Sequence, residues 1–137
     1  MTPMTSQDLT VLILSTDAVT SALLSLLSEL EGFRPVFALA DETPAESLSR
    51  LHPRLLLVDC DHRAACRDEL FDLARESGTK VVIFSPGRMS YDVQDFAEAR
   101  QLPWFALPIE RTTLARTLRS ALLTALLPFA VLASLAR

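Results

Sequence analysis

Five short apolar runs recur along the chain, each followed by a longer amphipathic segment, and this alternation limits the fold more than any other feature. The runs are Leu9–Leu14, Pro35–Leu39, Leu55–Val58, Lys80–Phe84 and Trp104–Leu107. Apolar runs alternating with helical segments are the pattern of βα units around a parallel sheet. Strands covered on both faces read as nearly unbroken apolar stretches. Pro35–Leu39 is the weakest run and is expected at an edge. The intervening segments carry helix signals. Asp17 can cap a helix from Ala18, with Val19, Leu23, Leu26, Leu27 and Leu30 on one face and Gly32 as its stop. Thr43-Pro44-Ala45-Glu46 reads as a capping box with proline at the first helical position. A third helix, opened by Asp61, is expected to bury Cys66, Leu70, Leu73 and Ala74 and to end at Gly78. Ser90 can cap a fourth, with Val93, Phe96 and Ala97 inward, and a fifth begins near Thr112.

With 137 residues the chain holds one domain with a sizeable core. Residues 1–8 read as a loose polar tail, 9–122 as the domain and 123–137 as an apolar helical extension. The net charge of −4 excludes a nucleic-acid surface as the main business, because phosphate neutralisation needs clustered Lys and Arg. Two cysteines make no secreted disulfide framework, and no signal-peptide pattern opens the chain, so a cytoplasmic protein is expected. No Ser-His-Asp, Cys-His or glycine-rich nucleotide motif supports an independent enzyme.

In a doubly wound sheet, ligands and chemistry collect at the carboxyl ends of the strands. Those ends fall at Ser15–Asp17, Asp59–His62, Ser85–Arg88 and Leu107–Pro108. There the sequence resembles response-regulator receiver domains. Pro53-Arg54-Leu55-Leu56-Leu57-Val58-Asp59 is similar to that family's third strand, which ends in the phosphate-accepting aspartate. Val82-Ile83-Phe84-Ser85 resembles the fourth strand with its terminal Thr or Ser, and Trp104-Phe105-Ala106-Leu107-Pro108 the fifth, where an aromatic switch residue precedes Lys-Pro. The resemblance covers roughly residues 9–122. It implies a five-stranded parallel sheet of order 2-1-3-4-5 in a flavodoxin-like three-layer sandwich, and a cis bond at Leu107–Pro108. It also implies that the chain acts in signal transduction by contact with another protein.

The same resemblance assigns departures. The family's acidic pair after the first strand falls on Ser15 and Thr16, and its lysine falls on Leu107. Hydroxyls are poor substitutes for carboxylates on Mg²⁺, and leucine cannot pair with a phosphoryl oxygen. The chain therefore reads as a degenerate receiver: Asp59 keeps the acceptor position, no cofactor is expected and Mg²⁺ binding is weak or absent. Ser85 and Trp104 hold the switch positions. Asp17 and Asp61 could rebuild a carboxylate cluster around Asp59 in a phosphorylatable receiver of unusual design.

Two other chemistries compete. Ser15, Thr16, Thr20 and Ser21 could cradle a phosphate or flavin at a helix start, although the loop lacks glycine. Asp59-Cys60-Asp61-His62, with Cys66 four residues further on, invites a metal or redox reading with ligand types that suit zinc, but no second Cys/His cluster completes the site.

From Ala121 to Ala136 no residue is charged. This run is short of the roughly 20 apolar residues of a membrane span. Leu126, Leu127, Phe129, Leu132 and Leu135 are instead expected to pair two chains as a homodimer, Pro128 kinking or breaking the helix near Thr124.

Overall fold

A computed structural model describes residues 9–62 and 65–123. The predicted loose tail, the apolar extension beyond Leu123 and its five interface residues lie outside the described residues. The elements are β1 (Thr10–Leu14), α1 (Ala18–Leu30), β2 (Arg34–Val36), α2 (Pro44–Leu51), β3 (Leu55–Asp59), α3 (Asp68–Ser77), β4 (Lys80–Ser85), α4 (Tyr91–Ala99), β5 (Trp104–Ala106) and α5 (Arg111–Leu123). The strands form one parallel sheet of order β2-β1-β3-β4-β5. Both the order and the edge position of β2 agree with the sequence reading.

Alternate residues of each strand face opposite layers. Leu12, Leu14, Leu56, Val58, Val81 and Ile83 pack with Leu48 of α2, Leu70, Phe71 and Ala74 of α3 and Ala97 of α4. Val11, Ile13, Leu55, Leu57, Val82, Phe84 and Phe105 pack with Leu24 of α1 and with Leu114, Leu118 and Ala121 of α5. Every residue of β1 and β3 is buried, which explains the unbroken apolar runs Val11–Leu14 and Leu55–Val58 within them.

Most predicted caps are formed. The Asp17 carboxylate accepts from Thr20 N at 3.1 Å, Thr43 Oγ1 from Glu46 N at 3.1 Å and Ser90 Oγ from Val93 N at 3.3 Å. Gly78 closes α3 at φ +79°, a conformation that favours glycine. The Leu107–Pro108 bond is cis.

Two helices depart from expectation. α1 is rotated: Thr20, Leu24 and Ser28 face the sheet, while Val19, Leu23, Leu26 and Leu30 are 76%, 43%, 56% and 51% exposed. The bulky strand residues and Phe33 already fill this layer, so small side chains let the helix approach closely. α3 begins at Asp68 rather than near Asp61, its first turn carrying Asp68 and Glu69 against the positive end of the helix dipole. Asp61 and Cys66 therefore lie in the loop before it, where Ala65 N and Cys66 N both donate to His62 O.

Candidate functional site

The parallel register brings four strand ends level. Leu14 pairs with Val58, so Ser15 stands beside Asp59. Asp59 pairs with Phe84 and Ser85 with Ala106, which sets Cys60 near Ser85 and Leu107 just beyond it. Two backbone bonds lock this arrangement: Cys60 N to Phe84 O at 2.8 Å and Leu107 N to Ser85 O at 2.9 Å.

Asp59 is 1% exposed, and neutral groups satisfy it. Ser15 Oγ donates to Oδ2 at 3.1 Å, and the Asp61 backbone N–H donates to Oδ1 at 2.9 Å. No ion pair to Asp59 occurs among the described residues. A buried carboxylate normally needs such donors or a cation. Here a serine hydroxyl and a backbone amide supply those donors. Leu107, at the lysine position, is half-buried and packs against the apolar layer of Phe84 and Phe105. Ser85 is buried, with its Oγ 3.4 Å from Gly87 N. Trp104 is partly buried and lies against the layer that holds Ile83 and Ala97.

The other carboxylates divide between two roles. Asp17 is committed to α1, accepting from the Thr20 hydroxyl as well as its N–H, and these bonds hold its carboxyl below the usual range. Asp61 is exposed and converges with Asp59 and Cys60, their ligand atoms lying within 4.8 Å of one another. That trio does not suit Mg²⁺, which demands hard oxygen ligands in near-octahedral array. Both Asp59 oxygens already accept hydrogen bonds, and burial pushes the soft Cys60 thiol up, keeping it protonated.

Of the five residues in the zinc reading, Asp59, Cys60 and Asp61 converge, while His62 and Cys66 are not part of that group among the described residues. Cys66 Sγ donates to Asp59 O at 3.2 Å, and burial pushes its thiol up to about 12. The proposed anion cradle is occupied by the chain itself. The Asp17 carboxylate takes Thr20 N and Thr20 Oγ1, while Ser15 Oγ turns to Asp59. A negative charge already seated at the start of α1 repels a phosphate.

The bond between Ser15 and Asp59 was not legible in the sequence, because it depends on the offset between β1 and β3. Its signal, in retrospect, is a hydroxyl directly after the first strand paired with a carboxylate directly after the apolar part of the third.

No family model matches the sequence, and no curated protein is similar to it. Solved structures are similar to it in fold. The signal receiver domain of a modulated diguanylate cyclase from Desulfovibrio desulfuricans G20 is 20% identical, with a TM-score of 0.67 over 84% of this chain and 94% of that one. A response regulator receiver domain protein from Clostridium thermocellum is 13% identical, with a TM-score of 0.65 over 85% and 95%. A putative pilus assembly-related protein from Burkholderia pseudomallei K96243 is 17% identical, with a TM-score of 0.65 over 89% and 95%. At these identities the likeness is one of fold: the chain has the receiver fold.

Proposed function

We propose that this chain is a receiver-like signalling module that works in the cytoplasm by binding another protein, without phosphorylation of Asp59 and without catalysis of its own. The hydrogen bond from Ser15 Oγ to Asp59 Oδ2 carries this reading. A phosphate acceptor needs its charge offset by a metal and by a cation on the phosphoryl oxygens. At Asp59 the nearest groups are a serine hydroxyl and a backbone amide, and the lysine position holds an aliphatic side chain packed into the core. Such a carboxylate serves as a structural anchor for the loop after β3, tying β1 to that loop.

A second reading has one observation in its favour: the Asp59–Cys60–Asp61 convergence leaves an exposed carboxylate beside the acceptor position. Titration with Mg²⁺, followed by calorimetry and by Trp104 fluorescence, separates the two. The anchor reading expects no saturable response at millimolar Mg²⁺. A saturable response that Asp59→Asn abolishes supports the phosphorylatable receiver instead. Returning Leu107 alone to lysine leaves the anchor in place, because the acceptor groups act as a unit.

A further inference from the structure

The four exposed side chains of α1 follow one another at steps of four, three and four, forming a single line on the side away from Thr20, Leu24 and Ser28. Scattered exposed leucines are ordinary, but a line of large aliphatics marks a contact surface. The line is about 16 Å long at 1.5 Å per residue. The neighbouring surface of α5 is of another kind: Arg111 and Arg119 reach across to Glu31, at 2.8 Å and 3.4 Å. The apolar face of this side of the molecule thus belongs to α1.

The chain carries a segment of matching chemistry. Residues 124–137 have no charge before the terminal Arg137, and they include Leu126, Leu127, Phe129, Val131, Leu132 and Leu135. They continue from α5, which shares a core layer with α1 through Leu24, Leu114, Leu118 and Ala121 and ends at the half-exposed Leu123. Fourteen residues span about 21 Å if helical and more if extended, ample for the α1 line. Residues 124–136 carry no charge, so laying them on an uncharged line buries no unpaired charge.

We propose that residues 124–137 of one chain cover Val19, Leu23, Leu26 and Leu30 of a second copy, and that two chains exchange these segments reciprocally about a two-fold axis. Seating on a second copy lets each chain both offer its α1 line and receive the other's segment. One line alone is small against the roughly 800 Å² per partner of a stable interface, and reciprocal exchange doubles it. The proposal is independent of how Asp59 is used.

Sedimentation of the full chain in detergent-free buffer tests it. The expected species has twice the chain mass of 15.1 kDa. Leu26→Asp and Leu132→Asp should each sediment as monomers with unchanged far-ultraviolet circular dichroism. Val19→Glu, at the most exposed end of the line, provides a second stripe variant. An equimolar mixture of Leu26→Asp and Leu132→Asp keeps one intact seat and should recover part of the dimer. A monomeric wild-type chain, in solution or on phospholipid vesicles, overturns the proposal. So does a dimer that Leu26→Asp and Val19→Glu leave intact, since the segments would then pack on each other.

Discussion

At the carboxyl ends of β1 and β5, positions that carry charge in the receiver family hold Ser15 and Leu107, and buried Asp59 is satisfied by a hydroxyl and an amide. On the outer face of α1, by contrast, four large aliphatics stand in solvent. One region holds a buried carboxylate on neutral donors; the other exposes a line of aliphatic side chains.

The largest test of this contrast lies within α1. Leu24 is buried against β1 and α5, while Leu26, two residues on, is exposed. Leu24→Ala should destabilise the fold by about 2–5 kcal/mol in chemical denaturation. Leu26→Ala should leave the denaturation of dilute protein within about 0.5 kcal/mol of wild type. Equal losses at both positions would show that α1 is seated differently.

Ser15→Ala probes the other region. It removes the hydroxyl donor of a buried carboxylate and should lower stability by about 1–3 kcal/mol in the same measurement. If a metal ion held Asp59 instead, this substitution would be nearly silent in Mg²⁺ and costly without it.

A smaller effect has the opposite sign. Ser28 is fully buried in α1, and its hydroxyl has no hydrogen-bond partner among the described residues. Ser28→Ala removes that hydroxyl and improves helix propensity, so a gain of up to about 1 kcal/mol is expected from thermal unfolding.

The smallest effect is one of pH, in the loop between the edge strand β2 and α2. Hydrogen bonding by Arg50 holds the Glu42 carboxyl at about 2. A depressed carboxylate contributes stability above its ordinary value near 4.5, and that contribution fades as pH falls toward about 2. Glu42→Gln should flatten this part of the acid-unfolding profile, with a small loss of stability that is full at neutral pH and vanishes as pH falls toward about 2.

How far the sequence alone reaches is visible in particular elements. The strands were legible because burial on both faces forces unbroken apolar runs, and Asp17, Thr43, Ser90 and Gly78 were legible because caps are local chemistry. The rotation of α1 was not. Val19, Leu23, Leu26 and Leu30 have helical spacing, but so do Thr20, Leu24 and Ser28, and only the bulk already present on the strands decides which set faces inward. The start of α3 was misplaced because Asp61 looks like a cap, while the acidic first turn of Asp68 and Glu69 is the signal that governs. The candidate residues at the strand ends were located by the alternating pattern, but their bonds depend on register between strands 44 residues apart in sequence.

Treatment of the intact wild-type chain with a small phosphodonor and Mg²⁺, followed by its mass, tests the central claim most directly. Held by Ser15 and an amide, and without a cation at position 107, Asp59 should gain nothing, and the mass should be unchanged. A gain of one phosphate, mapped to Asp59 and absent from Asp59→Asn, would contradict the account.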